Sequence, residues 1–127
     1  MSGMTAYENV DFGLRLAKYP YEERDKRTRE CLRNVGLEKR MFHRPSEMSG
    51  GEQQRVAIAR AIAHKPDIIF ADEPTAELDT ATALHVVKLF KELVARDEMT
   101  IIMTTHDPSM IDIADKVYTL EDGEIVE

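Results

Sequence analysis

The chain is 127 residues long, enough for one domain with one core and too short for two ordinary ones. Hydrophobic residues make up 43% and charged residues 32%, a globular rather than a disordered balance, and no apolar run approaches the roughly 20 residues of a membrane span. The net charge of −7 argues against a nucleic-acid binder, which is usually basic overall. The opening MSGMTAYENVDF lacks the basic flank and apolar core of a secretory leader. The single cysteine, Cys31, excludes an internal disulfide, fits a reducing compartment and leaves no cysteine pair for structural zinc. Charge is uneven: residues 15–44 hold ten Lys or Arg against five Asp or Glu. Such a block is ordinarily a solvated helix face, and otherwise a surface for an acidic partner or lipid headgroups.

In chain order, Thr5-Ala6-Tyr7-Glu8 reads as a capping box, followed by a helix with Val10, Leu14 and Ala17 at helical spacing. Pro20 ends it. A charge-dense helix from Tyr21 to Val35 follows, with Leu32 and Val35 inward and Gly36 placed as its C-terminal cap. Leu37 to Glu47 is an irregular connection, so 1–47 reads as a helical subdomain that differs in charge and pattern from the strand-and-helix region 48–127. Ser49 starts a helix to about His64, ended by Pro66. Its alanines and isoleucines leave little polar face and predict near-complete burial. Asp67 to Asp72 is an apolar strand of the kind buried on both faces of a parallel sheet. Asp79 caps a helix with Leu84, Val87, Phe90 and Val94 inward, and Thr100 to Thr104 is a second buried strand. Ser109 with Asp112 marks a short helix. Strands Lys116 to Glu121 and Glu124 to Glu127 are joined by Asp122-Gly123, a strong hairpin signal. The βαβαββ alternation argues an α/β layer fold.

Three places carry chemistry. In Met48-Ser49-Gly50-Gly51-Glu52-Gln53, Ser49 and Glu52 form a second capping box, which accounts for them but not for two adjacent glycines. Each glycine costs about 1 kcal/mol against alanine in a helix. Bare amides at the positive end of a helix suit an anion, phosphate above all. Asp72-Glu73-Pro74 follows the first apolar strand, where open α/β sheets bind ligands. Adjacent side chains on a strand point opposite ways, so one carboxylate can hold Mg²⁺ while the other orients a water; the plain alternative is a solvated turn at Pro74. His106 stands two residues past the second strand, in a position parallel to that of Asp72-Glu73. His43, His64 and His85 read as structural.

Together these stretches resemble the motifs of ATP-binding cassette (ABC) ATPases. Met48 to Gln53 is similar to the signature motif, usually Leu-Ser-Gly-Gly-Gln. Ile68-Ile69-Phe70-Ala71-Asp72-Glu73 resembles the Walker B strand and its glutamate, Ala76-Glu77-Leu78-Asp79 the D-loop, and His106 the switch histidine. All four stand in order and in register across essentially the whole chain. His43-Arg44-Pro45-Ser46-Glu47 and Glu52 most resemble the lipoprotein-release and macrolide-export group. The resemblance implies an α/β sheet of P-loop NTPase type, incomplete here, with a preceding helical subdomain. It implies ATP and Mg²⁺ as cofactors and a head-to-tail dimer with a second ABC ATPase domain. In that dimer Ser49 and Gly51, within the turn that holds Gly50 and Glu52, would bind the γ-phosphate held by the opposite subunit. Asp72 would support Mg²⁺, Glu73 polarise the attacking water, His106 contact the γ-phosphate, and Asp79 link the two sites. The helical region would face a transmembrane permease subunit, with no nucleic acid involved, at a cytoplasmic location peripheral to the cell membrane.

Three departures stand out: Met48 replaces leucine, Glu52 replaces glutamine, and Glu77 stands where small residues are usual. None of the six glycines opens a G-x-x-x-x-G-K-[ST] loop, and the only glutamines are Gln53 and Gln54. The P-loop and the Q-loop glutamine are therefore missing, and this chain alone is expected to be inactive. In the family's sheet the P-loop strand would lie between the strand of Met103 and that of Val117. With that slot empty, the later strands are expected to slide onto Thr100–Thr104, or a second copy to fill the edge. Two alternatives remain: a non-enzymatic dimerisation or docking module, and an ABC ATPase outside transport. The lack of a long coiled-coil insertion before the signature favours transport.

Overall fold

The structure, a computed structural model, describes residues 3–126. Helix α1 (Ala6–Leu16) starts at the expected capping box: the Thr5 hydroxyl accepts from the Glu8 amide and Glu8 accepts from the Thr5 amide. Val10 and Leu14 are fully buried, whereas Ala17 lies past the helix end, exposed, beside Lys18 at φ 58°. Helix α2 (Tyr21–Asn34) ends at Gly36, whose φ of 78° suits glycine. The Leu37 amide reaches back to the Leu32 carbonyl at 2.8 Å and the Gly36 amide to Arg33 at 3.0 Å, a Schellman closure over buried Leu32 and Leu37. The connection after it forms two short 3₁₀ turns, Glu38–Arg40 and Pro45–Glu47. It returns to α1, where the Ala6 and Tyr7 amides donate to the carbonyls of His43 and Met41 at 2.8 and 2.7 Å. Two donors that a helix start leaves open are thereby satisfied.

Helix α3 (Gly50–Ile62) packs on both α1 and α2. Buried Arg27 of α2 locks its far end: Nε donates to the Ala63 carbonyl at 2.7 Å and Nη2 to that of Ile62 at 3.1 Å. Val56, Ile58, Ala59 and Ile62 are buried, but Ala57 and Ala61 are exposed, so α3 is covered on one side only and not almost all round as expected.

Strand β1 (Ile68–Asp72), helix α4 (Thr80–Asp97) and strand β2 (Thr100–Thr104) form a parallel unit in which Asp72 stands opposite Thr104 and Phe70 opposite Ile102. Helix α4 begins at Asp79, which accepts from the Thr82 amide as expected. Its buried stripe is Val86, Val87, Leu89, Phe90 and Leu93. At 100° per residue Leu84 falls nearly opposite that stripe and Val94 at its margin, so both are exposed rather than inward. Helix α5 (Pro108–Ile113) is capped by Asp107, not by Ser109.

Neither strand is buried on both faces. Ile69 is buried and Ile101 and Met103 pack partly on the core, but Ile68, Phe70 and Ile102 are 51%, 77% and 52% exposed. The helices cover one face, and among the described residues nothing covers the other. The C-terminal strands do not slide over to β2. They form a hairpin of their own, β3 (Leu120–Glu121) with β4 (Glu124–Ile125), around Asp122 and Gly123 at φ 50° and 81°. Residues 116–119, expected as strand, form none, although the Thr119 carbonyl accepts from the Val126 amide at 2.8 Å; Glu127 lies outside the described residues.

Candidate functional site

The glycine pair opens α3 beside the turn that leads into α4. Ser49 and Glu52 form the predicted box: the Ser49 hydroxyl accepts from the Glu52 amide at 3.1 Å, and a Glu52 oxygen accepts from the Ser49 amide at 3.0 Å. Arg40 adds an ion pair to Glu52 at 3.0 Å. The Ser49 amide, aided by Arg40 and Arg55, holds the Glu52 carboxyl below its usual range. The two glycines meet different neighbours. A Cβ on Gly50 would stand 2.3 Å from a Glu77 carboxylate oxygen, and one on Gly51 would stand 3.0 Å from the Glu77 carbonyl. Ser49, Gly50, Gly51, Glu77 and Asp79 line one open cleft of about 450 Å³. Asp79 is held below the normal aspartate range, first by the Thr82 amide it caps.

The second group gathers where β1 and β2 end. His106 Nε2 lies 3.2 Å from Glu73 Oε1, so the two residues singled out at separate strand ends do meet. Glu73 has φ 45°, the left-handed region that a side-chain-bearing residue seldom enters, and such strain collects at functional sites. Its amide donates to the Thr104 carbonyl at 2.9 Å and to the Thr104 hydroxyl at 3.1 Å. That hydroxyl donates in turn to Asp72 Oδ1 at 2.5 Å. Asp72, Glu73 and His106 do not line the glycine cleft. The two groups are tied by α3 itself, whose Gln54 donates from Nε2 to the Pro74 carbonyl at 3.1 Å.

A family model described as ABC transporter matches residues 1–76. The chain belongs to the ABC transporter family. A Methanocaldococcus jannaschii protein named as an uncharacterized ABC transporter ATP-binding protein, MJ1508, is 47% identical over 124 residues, 98% of this chain and 55% of the relative. The lipoprotein-releasing system ATP-binding protein LolD of Nitrobacter hamburgensis is 46% identical over 123 residues, 97% of this chain and 53% of the relative. The solved dimeric, post-hydrolysis ATP-binding cassette MJ0796, bound to ADP and Pi, superposes with a TM-score of 0.92 at 42% identity. That match covers 100% of this chain and 56% of that one. The fold is thus the α/β fold of an ABC cassette, and the chain spans about half the length of the curated relatives it matches.

Several residues that build the candidate site escaped sequence reasoning. Thr104 joins the Asp72 carboxylate to the Glu73 backbone amide. Thr75 donates from Oγ1 to Asp107 at 2.9 Å, and Asp107 accepts from the Ser109 amide, clamping the loop after β1 to the start of α5. The signal for Thr104 was its parity: in a parallel ladder ending level with Asp72, it shares that residue's face. A magnesium ion fits the acids by donor chemistry. One hard carboxylate oxygen of Asp72 stays open, and Mg²⁺ takes one or two carboxylates plus waters and phosphate oxygens. Among the described residues no cluster of three or more His, Cys, Asp or Glu forms a self-sufficient metal cage.

Proposed function

We propose that this chain supplies the signature and Walker B part of an ABC transporter ATPase, acting on ATP held by a P-loop that another segment or chain provides. The observation that carries the reading is the Glu73–His106 contact beside Asp72 at the ends of two parallel strands. In this reading Asp72 holds Mg²⁺, Glu73 polarises the attacking water and His106 contacts the γ-phosphate. Ser49, Gly50 and Gly51 offer the start of α3, backed by Glu52, to the nucleotide of the opposite domain in a head-to-tail dimer. Asp79 links the two sites. The helical segment 1–47 meets a transmembrane permease subunit and the core 48–127 carries the chemistry, at a cytoplasmic site peripheral to the membrane. No helix among the described residues is long and apolar enough to cross a bilayer itself. The exposed Ile68, Phe70 and Ile102 face is where a P-loop-bearing segment would pack.

Calorimetry with Mg-ATP and phosphate-release assays test this. The chain alone is expected to bind ATP weakly or not at all. Joined to a P-loop-bearing segment it is expected to hydrolyse ATP, and Glu73→Gln to stall that turnover. Low-micromolar binding or Glu73-dependent turnover by the chain alone would overturn it. The exposed Ile68, Phe70 and Ile102 face also favours a second reading, a non-enzymatic docking module. A joined protein that associates but shows no Glu73-dependent turnover selects it.

A further inference from the structure

At the end of β1 the Thr104 hydroxyl, which has no part in the proposed function, touches both the Asp72 side chain and the Glu73 backbone. Thr104 Oγ stands 3.1 Å from the Glu73 amide nitrogen and 2.5 Å from Asp72 Oδ1. The direction of both bonds follows from the chemistry of the groups. An amide N–H only donates, so at Glu73 the hydroxyl accepts. Its single proton is then free for Asp72, whose ionised carboxylate only accepts. The result is an ordered relay from Glu73 N–H through Thr104 Oγ–H to Asp72 Oδ1.

Two consequences follow. One Asp72 oxygen is engaged, which leaves Oδ2 as the oxygen open to a cation. Second, the Glu73 backbone is held at φ 45° by two acceptors from one residue, the Thr104 carbonyl at 2.9 Å and its hydroxyl. That conformation directs the Glu73 side chain to His106, 3.2 Å away. The ladder makes this possible, because Asp72 and Thr104 are opposite each other in register. We propose that Thr104 is a positioning residue whose hydroxyl sets both acids: it fixes which Asp72 oxygen faces the metal and holds Glu73 in the backbone turn that aims it at His106. The metal half of this inference rests on the functional reading above; the Glu73 half does not.

Thr104→Val keeps the shape and loses the hydroxyl, while Thr104→Ser keeps the hydroxyl and loses the methyl. Amide hydrogen exchange by NMR on the 127-residue chain reads the Glu73 half. Glu73 exchange should rise about tenfold in Thr104→Val, the loss of one hydrogen bond, and stay at the parent rate in Thr104→Ser. The amides of Ile69 and Ile101 report whether the ladder itself is intact. Paramagnetic broadening of Asp72 and Glu73 resonances by Mn²⁺ reads the metal half. Thr104→Val should need on the order of tenfold more Mn²⁺, the usual loss when a ligand's supporting hydrogen bond is removed. In the parent chain a slowly exchanging Thr104 hydroxyl proton with a cross-peak to the Glu73 amide would show the relay directly. If both variants match the parent, or both change alike, the hydroxyl positions nothing and the proposal falls. If Glu73 exchange responds as expected but Mn²⁺ broadens none of the three proteins, Thr104 still positions Glu73, and Asp72 loses its role as metal holder.

Discussion

Cys31 lies fully buried on the inner face of α2, and burial pushes its thiol up from 9.0 to about 11. Only the thiolate is nucleophilic, so this cysteine is shielded twice, by access and by protonation. Its stability contribution is present in full below the unfolded value near 9 and is lost as pH rises through the folded value near 11. Ellman's reagent at pH 8 is expected to leave the native chain unlabelled and to titrate one thiol after urea unfolding. Fast labelling of native protein would contradict the burial. Gly50 and Gly51 differ in the same concrete way. The atom facing a new Cβ on Gly50 is the tip of the flexible Glu77 side chain, whereas Gly51 faces the Glu77 backbone carbonyl at 3.0 Å and Leu78 Cδ2 at 3.4 Å. Gly50→Ala should therefore hold its melting temperature, and Gly51→Ala should melt lower. Thermal unfolding followed by circular dichroism ranks them, and the reverse order would show that the Glu77 backbone gives way.

Among the elements, α3 is the one the others depend on. It bears the glycine pair at one end, holds the loop after β1 through Gln54, and is gripped at its other end by Arg27. Arg27→Met leaves the Ile62 and Ala63 carbonyls without their charged donor and should cost about 1.5–3 kcal/mol in urea unfolding, the range for hydrogen bonds to charged groups. A loss under about 0.5 kcal/mol, the scale of an ordinary surface substitution, would show that water replaces the donor. The helix starts were legible because Thr5 with Glu8, Ser49 with Glu52, and Asp79 act within one turn of their own residues. The Asp122-Gly123 hairpin was legible for the same local reason. Burial of the strands was not, because it depends on what lies above the sheet. The apolar runs Ile68–Phe70 and Ile101–Met103 record a need for cover, and no local pattern shows whether this chain meets it. Within the site, Glu73 and His106 could be read from their strand ends. The Thr104 relay required the register, which is a relation between residues 32 positions apart.

At the scale of the molecule, the uncovered sheet face dominates behaviour in solution. Phe70 at 77% exposure lies opposite Ile102 at 52% on the same face. Apolar faces beside an open strand edge invite pairing between chains. The chain should self-associate with rising concentration in analytical ultracentrifugation. Phe70→Lys should shift it toward monomer without lowering its melting temperature, because an exposed ring contributes little to its own fold. A monomer at every concentration would show that this face is tolerated bare.

The level parallel register of β1 and β2 sets where length changes can be borne. One residue inserted between Thr100 and Thr104 would turn Thr104 away from Asp72 and carry His106 to the other side of the sheet, since strand faces alternate residue by residue. The β3–β4 turn pairs only with its own strands, so added residues there change nothing upstream. Gaps among divergent copies of this chain should therefore collect after α5, while β1 and the stretch from Thr100 to His106 keep their count.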